Sequence, residues 1–121
     1  YNSLPNDINK LSPDFVVSLH CNAFNCKATG TEVLYYHRSA KGAEIATVLQ
    51  KNLVSALGLS DRGIKPRTSE DRGGYLLKRT IAPCIIAEPF FIDNDEDYLR
   101  ALNSDLAAAY ATGIEKIAAL F

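Results

Sequence analysis

Two side chains in this sequence, His20 and Glu88, stand where chemistry is commonly done. His20 directly follows Phe15-Val16-Val17-Ser18-Leu19, a β-branched and aromatic run with apolar residues on both faces, as in a strand buried inside an α/β sheet. Glu88 closes Pro83-Cys84-Ile85-Ile86-Ala87, a second run of the same kind, and Pro89 keeps that strand from continuing. Functional groups of α/β sheets gather at strand ends, so the pairing of these positions is the central clue. A neutral imidazole is a good zinc ligand. A carboxylate beside an activated water can take its proton and then deliver one to a departing amine, and together the two suit amide hydrolysis. On spacing alone, a lone histidine after a strand is more often a hydrogen-bonded structural residue. Glu88 is harder to explain away, because a carboxylate behind Ile85, Ile86 and Ala87 is desolvated unless it has a partner or a task.

Other constellations fail. His20-Cys21-Asn22 with Pro83-Cys84 lacks both the glutamate two residues after the histidine and the second cysteine that a zinc deaminase needs. A Cys/His nucleophile pair stays open on spacing, although adjacent His20 and Cys21 at a strand end tend to point in opposite directions. Gly73-Gly74 lacks the strand, loop and helix of a phosphate-binding turn. Cys21, Cys26 and Cys84 are an odd number without close-paired spacing, so at least one thiol is free and they read as buried or half-buried structural cysteines. His37, in a basic polar stretch, reads as a solvated or substrate-side residue rather than a ligand.

The elements that must hold these residues alternate between strand and helix patterns. Ser3 is placed to cap a short helix with Leu4, Ile8 and Leu11 on one face, which Ser12-Pro13 ends. After the first strand, residues 22–29 read as a turn and residues 31–36 as a second strand. A helix then starts at Ser39, buries Ala46, Leu49, Leu53 and Leu57, and stops at Gly58. Residues 63–74 read as a surface loop with short extended pieces, and Tyr75-Leu76-Leu77 is too short to assign. Asp93-Asn94 opens a helical stripe through Leu99, Leu102, Leu106, Tyr110, Gly113, Ile117 and Leu120, with a split at Asn103-Ser104 and with Asp95, Glu96 and Asp97 complementing the helix dipole. The alternation predicts an α/β fold, an open sheet covered by helices.

Composition bounds the rest. The 121 residues, 47% of them hydrophobic, suffice for one domain with one core. Thirteen basic against fourteen acidic residues give a net charge of -1, without the broad positive field that nucleic acid or an anionic membrane selects. No apolar run approaches the roughly 20 residues that insert across a membrane, and residues 1–7 lack the form of a signal peptide.

Taken in order, Ser18-Leu19-His20-Cys21-Asn22-Ala23, Gly30-Thr31-Glu32-Val33-Leu34-Tyr35-Tyr36 and Ala82-Pro83-Cys84-Ile85-Ile86-Ala87-Glu88-Pro89-Phe90-Phe91-Ile92-Asp93-Asn94 resemble the type 3 N-acetylmuramoyl-L-alanine amidases. The resemblance runs from about Leu4 to the C-terminus. It implies a mixed, mostly parallel twisted sheet of the phosphorylase/hydrolase-like kind, here without its N-terminal strands, so that residues 1–121 are the C-terminal part of one amidase catalytic domain. By the same resemblance His20 is a Zn2+ ligand, Glu88 is the catalytic glutamate, and Asn22 and Arg79 contact substrate, though Arg79 lies outside the matched motifs. The implied reaction is zinc-dependent hydrolysis of the bond between N-acetylmuramic acid and L-alanine in peptidoglycan, at the cell wall. The family's other zinc ligands, a histidine in a Gly-His motif and a glutamate, have no counterpart here. An upstream segment of the same protein is therefore expected to complete the site, and this chain alone is expected to be inactive. The alternative is a catalytically incomplete fragment or a peptidoglycan-binding module that keeps the amidase fold.

Overall fold

Strands and helices do alternate: α1 (Leu4–Lys10), β1 (Val16–Leu19), β2 (Thr31–Tyr36), α2 (Ala40–Leu57), β3 (Asp61–Arg67), α3 (Gly74–Arg79), β4 (Cys84–Glu88), α4 (Asp95–Leu102) and α5 (Leu106–Ala118). This computed structural model describes residues 3–121. The described strands form one sheet in the order β1-β4-β2-β3, with β1 parallel to β4, β2 parallel to β3, and β2 antiparallel to β4. The expected helix-covered mixed α/β sheet is present.

Side-chain alternation divides the core into two layers. Val33, Ile85 and Ala87 face α2 and α5, meeting Ile45, Leu49, Leu53, Tyr110 and Ile117. Leu34, Cys84 and Ile86 face the other way, against Leu76 and Leu77 of α3 and Ile8 of α1. Helix α2 starts where Ser39 Oγ accepts from the Gly42 N–H, and it ends on Gly58 in the left-handed region, φ +68°.

Several expectations are corrected. β1 is not a fully buried strand; it lies at an edge of the described sheet, and Leu19 is 60% exposed. Residues 63–67, expected as part of a surface loop with short extended pieces, belong to the regular strand β3, where Pro66 is tolerated because the strand borders β2 alone among the described strands. The unassigned Leu76-Leu77 pair belongs to α3, a short helix whose two leucines supply the second core layer. In α1, Pro5 is buried while Leu4 is exposed, and Leu11, just past the helix end, faces solvent. The split at Asn103-Ser104 is present, but Leu99 and Leu102 are exposed, because the residue α4 buries is Asp97.

Asp97 is no solvated dipole partner, being fully buried. Its carboxylate accepts from the Gly30 N–H at 3.1 Å, the Phe91 N–H at 2.9 Å and the Thr29 hydroxyl, tying the start of β2 to the segment after β4. Removing it strands two buried donors, the N–H groups of Gly30 and Phe91, each costing about 1–3 kcal/mol. Asp97→Ala is therefore expected to destabilise the chain by at least about 2 kcal/mol, or on the order of 10 °C in melting temperature. A thermal melt within a degree or two of wild type would remove Asp97 from this role.

Candidate active site

The site lies where β1 and β4 end and β2 and β3 begin. The parallel register of β1 and β4 sets Leu19 beside Ala87, and the His20 N–H donates to Ala87 O at 3.0 Å, so His20 and Glu88 emerge at the same sheet edge. The antiparallel register of β2 and β4 sets Glu32 directly opposite Glu88. His20, Cys21, Arg72, Gly73 and Glu88 line a cavity of about 110 Å³, floored by Leu34 and Ile86. A neighbouring groove of about 410 Å³ is lined by Asn22, Phe24, Glu32, Arg62, Arg72 and Phe91.

Glu88 is 3% exposed. Its Oε2 accepts from Arg72 at 3.1 Å, while its Oε1 is buried without a hydrogen-bond partner among the described residues. Desolvation pushes the Glu88 carboxyl above the usual glutamate range; the Arg72 guanidinium pulls it down, and Glu32 raises it again. Glu32, 4% exposed, is held by Arg62 at 2.8 Å and by the Asn22 amide at 3.2 Å. Two buried carboxylates thus sit side by side, each with one arginine.

The His20 ring is exposed, and its Nε2 lies 3.0 Å from Ser18 Oγ. With Nε2–H donating to that hydroxyl, Nδ1 keeps a free lone pair, the arrangement in which a ligating histidine is oriented by a second partner. An imidazole with one nitrogen to spare, beside a carboxylate oxygen with no partner, fits a divalent cation such as zinc in donor chemistry. Among the described residues no group of three or more His, Cys, Asp and Glu is arranged to hold one.

Asn22, 5% exposed, does reach the groove, but most of its amide is committed: its oxygen accepts from the Ala23 N–H and from Arg72, and its nitrogen donates to Glu32. One amide hydrogen remains free. Arg79 is not brought to the site; its guanidinium lies over the Tyr75 ring on α3, and its carbonyl accepts from Asn9. The arginines that do face Glu88 and Glu32 are Arg72 and Arg62, which sequence reasoning missed. Their one signal was an arginine beside the turn-forming Gly73-Gly74 and another at the start of an unrecognised strand.

The cysteines also differ from expectation, since Cys21 and Cys26 are exposed and only Cys84 is buried; all three are free. Cys21 edges the cavity beside His20, yet burial and the Glu88 charge push its thiol up, opposite to the shift that activates a nucleophilic cysteine. Burial pushes the Cys84 thiol up to about 12. Alkylation of the folded chain near pH 8, read by mass spectrometry, should modify Cys26 first and leave Cys84 intact; rapid labelling of Cys84 would contradict the packing of α3 on β4.

Comparison with known proteins gives the family. A family model for N-acetylmuramoyl-L-alanine amidase matches residues 2–117. An uncharacterised cell wall amidase of Bacillus anthracis is 34% identical over 92 residues, 69% of this chain and 16% of the relative. Among solved structures, the catalytic domain of the CD27L endolysin targeting Clostridium difficile is 34% identical with a TM-score of 0.73, covering 84% of this chain and 53% of that one. An N-acetylmuramoyl-L-alanine amidase from Clostridium difficile 630 is 26% identical with a TM-score of 0.80, covering 98% of this chain and 63% of that one. The chain thus spans less than two thirds of each of these proteins. It belongs to the N-acetylmuramoyl-L-alanine amidase family.

Proposed function

We propose that this chain is the C-terminal part of a catalytic domain that hydrolyses the amide bond between N-acetylmuramic acid and L-alanine in peptidoglycan, acting on the cell wall. The observation that carries the reading is the convergence of His20 with a buried Glu88, one of whose oxygens has no partner, at one sheet edge in a chain of this family. His20 serves as one zinc ligand, and the further ligands come from an upstream segment of the same protein. Zinc, when bound, supplies Lewis acidity to the scissile carbonyl and the attacking water.

The chain's own residues then do the following. Glu88, made more basic by burial, takes the proton from the attacking water and passes it to the alanine nitrogen as the amide bond breaks. Arg72 fixes one Glu88 oxygen and leaves the other for this transfer. Ser18 orients the His20 ring. The groove beside them receives substrate, with Phe24 as an exposed apolar wall and the free Asn22 amide hydrogen as a donor.

Product analysis tests the bond. Digestion of purified peptidoglycan by a longer, zinc-loaded enzyme containing this chain should release stem peptides with a new amino-terminal alanine, and no new reducing sugar ends. New reducing ends, or cleavage within the peptide, would sink the reading. A second reading, a peptidoglycan-binding module without catalysis, is favoured by the lack of three metal-ligating side chains among the described residues; it requires wall binding with no new amino termini from the longer enzyme.

A further inference from the structure

β3 lays a row of cations along the sheet face that carries Glu88. In a regular strand Arg62 and Lys65, three residues apart, point to opposite faces. Here Thr31 pairs with Asp61 but Val33 with Ile64, so β3 holds one extra residue, accommodated at Gly63 with φ +78°. Beyond this bulge Lys65 is level with Leu34 and Arg67 with Tyr36. Both therefore project on the face of Leu34, Ile86 and Glu88, the same face that Arg62 reaches through its bond to Glu32.

The charges on this face do not cancel. Arg62 pairs with Glu32 and Arg72 with Glu88, whereas Lys65 makes no hydrogen bond or ion pair among the described residues and Arg67 donates only to Pro66 O. Asp71, held by Thr68, answers part of the excess, leaving four cations against three carboxylates. The Arg67 charge is close enough to lower both Asp71 and Glu88. At about 3.3 Å per residue, Lys65 and Arg67 stand roughly 7 and 13 Å along the sheet from the level of Glu88. An extended peptide advances at the same rate per residue, so its groups two to four residues from the reacting bond fall beside them.

We propose that Lys65 and Arg67 form a carboxylate-binding rail that grips acidic groups of the stem peptide two to four residues beyond the bond cut beside Glu88. The proposal rests on the amidase reading and adds the substrate class to it: a stem peptide with free carboxylates, in preference to one whose carboxylates are amidated.

Calorimetric titration of the 121-residue chain with two probes tests it: an N-acetylmuramoyl tetrapeptide with free carboxylates, and the same peptide fully amidated. Wild type should bind the acidic probe about tenfold more tightly, the scale expected for two exposed ion pairs. The Lys65→Ala/Arg67→Ala double variant should lose that factor for the acidic probe and nothing for the amidated one. Equal binding of both probes by wild type, undiminished binding of the acidic probe by the variant, or binding of neither probe would overturn the rail. If the longer enzyme nevertheless releases amino-terminal alanine from peptidoglycan, the amidase reading stands without the rail; if it cuts neither probe, that reading falls separately.

Discussion

In a longer, zinc-loaded enzyme containing this chain, Glu88→Gln is expected to lower the turnover number by at least about 100-fold, the lower end of what general acid–base catalysis contributes. Glutamine keeps the size and the contact with Arg72 but accepts no proton from water, so zinc content and substrate affinity should change little. Stability gives a second, independent sign. Burial holds the folded Glu88 pKa above its unfolded value, so the folded chain binds that proton more tightly. The stability this contributes is full below the unfolded value of about 4.3 and is lost as pH rises through the folded value. At neutral pH the ionised Glu88 therefore opposes folding, and the glutamine variant should melt no lower than wild type. A residue that merely balanced Arg72 would show the reverse, a lower melting temperature with normal turnover per folded molecule.

The second large effect concerns His20. In its proposed role as one of the three protein ligands an open zinc site normally uses, its loss should weaken zinc binding in the longer enzyme by more than about 100-fold, since changes to the groups that only orient ligands cost about 10–100-fold. Ser18→Ala, which removes such an orienting group, should fall within that smaller range. Unchanged zinc occupancy in His20→Ala, measured by metal analysis after dialysis, would leave His20 as a hydrogen-bonded strand-end residue.

What the sequence disclosed, and what it hid, follows from the range of the forces involved. β2, α2 and β4 were legible because their apolar residues recur with the period of the element and meet local stop signals, Gly58 and Pro89. His20 and Glu88 were legible because each ends such a run. β3 was not, because Arg62, Lys65, Pro66 and Arg67 carry no strand signature, and that segment is extended through pairing with β2, which lies far away in sequence. The same blindness hid Arg62. Arg72 was hidden for a related reason: nothing local says that the turn before α3 crosses back over the sheet to reach Glu88. Arg79, expected to contact substrate, lies on α3 over the Tyr75 ring instead. Asp97 looked like a helix-dipole carboxylate, since its donors, Thr29, Gly30 and Phe91, are visible only once the chain has folded.

In the proposed function this chain brings one zinc ligand and the proton-transferring carboxylate to an amidase centre completed by residues upstream. Zinc stoichiometry and muropeptide hydrolysis, measured side by side on the 121-residue chain and on a form extended upstream, test this division of the site. The former should hold zinc weakly, lose it on dialysis and hydrolyse nothing; the latter should retain one zinc per chain and release amino-terminal alanine. One tightly held zinc and full activity in the 121-residue chain alone would contradict it.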